Sequence, residues 1–122
     1  LYSGKLVFHD GSAEVAESVT VHCIGGHSRG LQAVRVRTEA GWLVLASDAA
    51  HYYENLRLRK PFPIVVALQN MLDGFETLER LASHPDLIIP GHDPLVRASF
   101  PSDKADHLIR LDRGPLQPII LD

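Results

Sequence analysis

Three residues of metal-ligand type stand in equivalent places along the chain, each where an apolar, strand-like run gives out. His27 lies in the glycine-rich stretch Gly25-Gly26-His27-Ser28-Arg29-Gly30, after the run from Val19 to Ile24. Asp48 directly follows Trp42 to Ser47, and His92 lies in the turn Pro90-Gly91-His92-Asp93-Pro94, after Asp86 to Ile89. Two imidazoles and a carboxylate form a ligand set for zinc, or for iron and manganese. Strands of one sheet that end on the same edge bring such residues together, however far apart they are in sequence. The neighbouring glycines let a loop turn sharply enough to aim a short side chain at a metal. Singly, each residue has an ordinary explanation: a solvated loop histidine, a capping aspartate, a plain turn. Their combination and order point to one centre.

The elements that must position these residues are legible from periodicity. Lys5-Leu6-Val7-Phe8-His9 reads as a first strand, followed by the turn dipeptide Asp10-Gly11. Val19, Val21 and Cys23 alternate with Thr20, His22 and Ile24 as a second strand. Leu31 to Arg37 and Trp42 to Ser47 are a third and a fourth, the last nearly all apolar and expected to be buried on both faces. Short turns between the four predict an antiparallel meander. Lys60-Pro61-Phe62-Pro63 is a rigid non-helical stretch. Leu68, Met71, Leu72, Phe75, Leu78, Leu81 and Ala82 then recur at helical spacing. Ser83-His84-Pro85 ends this helix, Asp86 to Ile89 is a short buried strand, and the tail offers extended pieces at Ala105 to Leu111 and Pro118 to Leu121.

The motifs Gly26-His27-Ser28-Arg29-Gly30, Ala46-Ser47-Asp48-Ala49-Ala50 and Ile89-Pro90-Gly91-His92-Asp93, with their mutual spacing, resemble the C-terminal half of the metallo-β-lactamase superfamily. The N-acyl homoserine lactonase branch is the nearest in appearance. The resemblance implies an α/β fold: half of an αββα sandwich, with a mostly antiparallel sheet and a packed helix. It implies that His27 is a ligand of a first metal, that Asp48 bridges two metals, and that His92 is a ligand of the second. Two zinc ions per complete active site are implied, with iron or manganese as alternatives. A water between the metals would lose a proton near neutral pH and attack a lactone carbonyl, opening the ring to a hydroxy acid. A thioester or other ester is the alternative substrate within the superfamily. A non-catalytic half-domain is the alternative of a different class.

Two departures from the family pattern stand out. The His-x-His-x-Asp-His motif of the family's N-terminal half does not occur here, and residues 1–122 read as the C-terminal half of a metallo-hydrolase domain. Such a half exposes an apolar sheet face. The expected partner is the missing N-terminal half, or a second copy through the same face. The second departure is His51, where several lactonases have a tyrosine three residues after the bridging aspartate. His51, with an unperturbed pKa of about 6.5, could donate to the developing oxyanion or protonate the leaving alkoxide. Tyr52 or Tyr53 beside it could do the same, or all three could simply pack.

Other candidates carry less. His22, Cys23 and His27 do not form a zinc cluster if strand alternation sends His22 and Cys23 to opposite faces. Cys23 is expected as a small buried hydrophobe. Arg57, Arg59 and Lys60 read as a solvated loop or a greeting for an anionic substrate. Phe62, Ile64 and Val65 read as core or as the lining of an acyl pocket. His84 has a sufficient structural role at a helix C-terminus.

Composition sets the outer bounds. The 122 residues fit one domain, and with 45% hydrophobic and 22% charged residues the chain is ordinary globular material. A net charge of -3 argues against nucleic acid as partner. The longest apolar runs fall far short of the roughly 18 residues that span a bilayer, so no membrane association is expected. The chain opens on Leu1 with no signal-peptide pattern. One cysteine allows no disulfide within the chain, so a reducing, cytoplasmic location is expected.

Overall fold

The computed structural model describes residues 4–102 and 108–121. Four strands form first: β1 (Ser12–Ala16), β2 (Val19–Cys23), β3 (Gln32–Thr38) and β4 (Gly41–Ser47). A short helix α1 (Tyr53–Arg57), the long α2 (Leu68–Leu81), β5 (Ile88–Pro90) and α3 (Pro94–Ser99) follow. Tight 3-10 turns occupy Pro85–Leu87 and Leu111–Arg113. The five strands lie in sequence order in one sheet. The first four pair antiparallel, as the short turns require, and β5 pairs parallel to β4 after the α2 crossover.

Strand alternation divides the apolar residues between the two faces. Ala33, Val44, Ala46 and Ile88 are buried with Met71, Phe75 and Leu78 of α2 in one core cluster. That apolar stripe at helical spacing makes α2 an amphipathic helix lying on the sheet. The Arg35 Nε–H donates to the Leu81 carbonyl at 2.8 Å, which ties a cation to the carbonyl-rich end of α2. The register Val19↔Val36↔Leu43 and Val21↔Val34↔Leu45 puts six apolar residues on the other face. Only its β4–β5 end is well covered: Leu43, Tyr53, Leu87, Ile89, Phe100 and Ile119 form a second core cluster. Over β2 and β3 the four valines stay half-buried, and Leu45 is exposed.

A buried ion pair closes the second cluster. Arg57 of α1 meets the Asp86 carboxylate at 2.6 Å, the Ile119 N–H donates to the same carboxylate at 3.3 Å, and the Arg57 guanidinium also donates to the Ile119 carbonyl. The C-terminal segment is thereby held to α1 and to the turn before β5.

The sheet is the α/β, mostly antiparallel arrangement expected from the sequence, with several corrections. Lys5 to His9 forms no strand: Leu6, Val7 and Phe8 are exposed, and the first strand begins after Gly11. These residues have strand propensity but no strand to pair with among the described residues. The strand expected from Asp86 starts only at Ile88, because Pro85 and the His84 cap bend the chain into a 3-10 turn first; the Asp86 N–H donates to His84 Nδ1 at 3.2 Å. Helices α1 and α3 are too short to leave a periodic signal. In the tail, Pro118 to Leu121 is not a strand, and Ile109 makes only an isolated bridge to Ser102. Residues 105–107 of the expected extended piece lie outside the described residues. Cys23 is exposed, not buried. Among the described residues no helix is long and apolar enough to cross a membrane.

Candidate metal centre

Strand direction explains why distant residues meet. β2 and β4 run the same way because each is antiparallel to β3, and β5 is parallel to β4. The C-terminal ends of all three therefore reach one edge of the sheet, and His27, Asp48 and His92 follow those ends.

Each loop is shaped for close approach. Gly26 has φ +87°, and a Cβ there would lie 2.9 Å from the Met71 backbone of α2. Only glycine allows both the conformation and the contact. Ser47 ends β4 at φ +49°, an uncommon conformation for a non-glycine residue, and it turns Asp48 out of the strand. Two hydrogen bonds zip the Asp48 loop to the His92 loop: Gly91 N–H to the Ala50 carbonyl at 2.9 Å, and His92 N–H to the His51 carbonyl at 3.0 Å. A Cβ on Gly91 would fall 2.9 Å from the Ser47 carbonyl, so the zip also demands glycine. Asp93 then accepts from Leu95 N–H at 2.9 Å and from Tyr53 N–H at 2.8 Å, capping α3 and fixing the start of α1 together.

The result is a carboxylate among three imidazoles. Asp48 Oδ1 lies 2.7 Å from His92 Nε2 and 3.7 Å from His51 Nε2, while Oδ2 faces His27 Nε2 at 3.9 Å. Donor atoms of Asp48, His51 and His92 lie within 4.8 Å of one another. The His51 ring stacks between Phe62, at 4.3 Å between centroids, and His92, at 5.0 Å. The His92 hydrogen bond holds the Asp48 carboxyl below its ordinary range; burial opposes this, and the three histidines reinforce it. Burial pushes His51 below the usual imidazole value, with Asp48 pulling the other way.

The donor set fits a divalent metal. Zinc ligands at about 2.0–2.1 Å in tetrahedral geometry sit roughly 3.3 Å apart, a spacing that the three imidazole–carboxylate distances bracket. His51 Nδ1 is buried with no hydrogen-bond partner. The grouping of imidazole and carboxylate suits zinc, iron or manganese better than calcium or magnesium.

The structure thus brings His27, Asp48, His51 and His92 together. Tyr52 stays at the rim, 37% exposed, with its ring 6.1 Å from Phe62. Tyr53 does not join them: it is 1% exposed in the second core cluster, where burial pushes its hydroxyl strongly upward. Alternation at the start of α1 sends it inward, which the adjacent tyrosines in sequence do not reveal. His22 is engaged by Ser12 and Thr20, away from the centre. Arg57 and Arg59 are spent on Asp86 and Glu79. Sequence reasoning did not anticipate the zip through Ala50 and Gly91; the glycine before His92 was its one signal.

No protein-family profile matches the chain, and no curated protein matches it. Solved structures do match. An N-acyl homoserine lactone hydrolase, solved with its product N-hexanoyl-L-homoserine at the catalytic metal centre, is 29% identical with a TM-score of 0.63, over 71% of this chain and 35% of its own. A B. thuringiensis protein with N-decanoyl-L-homoserine bound at its active site matches at the same 29% and 0.63, again over 71% of this chain and 35% of its own. A probable metal-dependent hydrolase from Staphylococcus aureus shares the fold at 14% identity and TM-score 0.61, over 81% of this chain and 35% of its own. The chain therefore spans 35% of the length of each of these structures. What it folds into is part of a metallo-β-lactamase-type fold. In fold and sequence it is similar to the N-acyl homoserine lactone lactonases.

Proposed function

We propose that the complete protein to which this chain belongs is a metal-dependent hydrolase that opens a lactone ring, with an N-acyl homoserine lactone as its substrate. The observation that carries this reading is the two-sided Asp48 carboxylate, with Oδ1 toward His92 and His51 and Oδ2 toward His27. A carboxylate so placed suits a bridging role between two metals, one shared with His27 and the other with His92. Zinc is the metal proposed, two per complete centre, with the remaining ligands supplied by the rest of the fold.

Bound divalent metal supplies Lewis acidity toward a carbonyl and brings the ionisation of water near neutrality. The chain's own residues do the rest. Asp48, His27 and His92 would hold the cations. His51, kept neutral by burial, offers Nε2–H to the lactone oxygen. Water adds across the ring C–O bond: its hydroxyl goes to the acyl carbon and its own proton ends on the departing alkoxide, while the neutral His51 ring hydrogen-bonds that oxygen and keeps its Nε2 proton. Tyr52 at the rim lies against the incoming substrate. The half-buried valine face of β2 and β3 receives the rest of the fold.

The test has two parts. The protein carrying the whole fold is dialysed against zinc and its metal content counted; failure to retain any metal overturns the metal centre. N-hexanoyl homoserine lactone and a thioester are then offered to the protein carrying the whole fold. Ring opening abolished by a chelator is expected, and cleavage of the thioester alone overturns the substrate assignment.

A further inference from the structure

The segment between α1 and α2 contributes no ligand, yet it touches most of the centre. The Ile64 carbonyl lies 2.8 Å from His27 Nδ1. A carbonyl only accepts, so Nδ1 must carry the proton, and the neutral ring then presents its Nε2 lone pair toward Asp48. The side chain of Ile64 is 62% exposed, so the residue serves here through its backbone. Two residues on, the Val66 and Ala67 N–H groups both donate to the Gly26 carbonyl, at 2.8 and 3.0 Å, immediately before His27. Two residues back, the Phe62 ring lies nearly parallel to His51 at an interplanar angle of 21°, and His51 lies nearly parallel to His92 at 16°. Pro61 and Pro63 flank Phe62 and fix the backbone on either side.

Resting on the metal-centre reading above, we propose that residues 61–67 form a positioning strap, in which Phe62 clamps the His51–His92 ring stack and the Ile64 carbonyl selects the metal-binding tautomer of His27. One short segment thereby sets the ring planes on the Oδ1 side of Asp48 and the tautomer on its Oδ2 side. Phe62 is a positioning residue in this scheme. Groups that hydrogen-bond the far nitrogen of a ligating histidine commonly change metal affinity by roughly 10–100-fold when lost.

The experiment compares the protein carrying the whole fold, as parent, with its Phe62→Ala, Phe62→Tyr and Pro63→Gly variants. Two readouts are taken: long-range proton–nitrogen correlation of the imidazoles without metal, and cobalt titration followed by the visible absorption band. In the parent, His27 is expected in the Nδ1–H form, and cobalt binds. Phe62→Tyr keeps the ring and should match the parent. Phe62→Ala and Pro63→Gly should mix the His27 tautomers and weaken cobalt binding about ten-fold or more. Circular dichroism identifies a variant that has merely unfolded; the other loosening variant then decides. Folded variants with the parent's tautomer and cobalt affinity overturn the strap. A parent that binds no cobalt overturns the metal centre instead, while the metal-free tautomer readout still decides whether the strap holds His27.

Discussion

Asp48 Oδ1 and His92 Nε2 meet at 2.7 Å across 44 residues of sequence. The pair is a charge-assisted hydrogen bond in which the imidazole occupies the place a cation would take. A metal entering here must take the Nε2 lone pair in place of a proton, so metal and protons compete for this nitrogen and metal uptake should weaken as pH falls. Asp48→Asn removes the charge while nearly keeping the shape. It should lower zinc affinity by more than the roughly 10–100-fold typical of an outer-shell loss, and lactone hydrolysis by the whole-fold protein should fall with it. Equilibrium dialysis with zinc checks the first. Unchanged affinity would remove Asp48 from the centre.

The meeting of strand ends was legible before any coordinates. Apolar runs followed by His27, Asp48 and His92 implied a shared sheet edge, and the meander with its parallel return delivers it. What stayed hidden depended on tertiary neighbours. Leu6 to Phe8 form an apolar, strand-like run yet have no partner in the described sheet. Tyr53 looks like its neighbour Tyr52, and only the direction of α1 separates a core ring from a rim ring. The Ile64 carbonyl that orients His27 could not be foreseen, because a backbone acceptor has no residue type to read.

The Arg57–Asp86 pair should matter more to stability than any surface ion pair here. Asp86 is 5% exposed and also accepts from the Ile119 N–H. Asp86→Ala leaves the Ile119 amide without its acceptor and the guanidinium with the Ile119 carbonyl but no counter-charge. A loss of about 2–3 kcal/mol is expected, below the figure for a fully buried pair because Arg57 is partly exposed. Urea unfolding measures it. Arg59→Ala, which breaks the exposed pair with Glu79, should cost no more than about 1 kcal/mol in the same experiment.

The Tyr53 hydroxyl is buried with no hydrogen-bond partner in the second core cluster, where the Arg57 guanidinium lies 5.8 Å from its ring. A desolvated hydroxyl without a partner costs about 1–3 kcal/mol. Tyr53→Phe keeps the ring and removes that cost, so stability should be unchanged or rise by about 1 kcal/mol or more. A clear destabilisation would mean that an ordered water satisfies the hydroxyl. The same variant should leave zinc affinity untouched, since Tyr53 lies outside the centre.

The chain should lose stability on mild acidification, and His22 should account for part of the loss. His22 bridges Ser12 Oγ and Thr20 Oγ1, each at 2.9 Å, across β1 and β2. Burial, and then the positive charge of Arg35, hold it below its ordinary value of 6.5. The unfolded chain therefore binds this proton more readily than the folded one, and stability falls as pH drops from above 6.5 through the folded value. His51 shifts in the same direction through burial and adds to the slope. His22→Gln keeps hydrogen-bonding capacity without a titrating group. Comparing urea midpoints at about pH 7.5 and about pH 5.5 should show a smaller decrease in the variant than in the parent. An identical decrease in both would show that His22 titrates alike in the folded and unfolded chains.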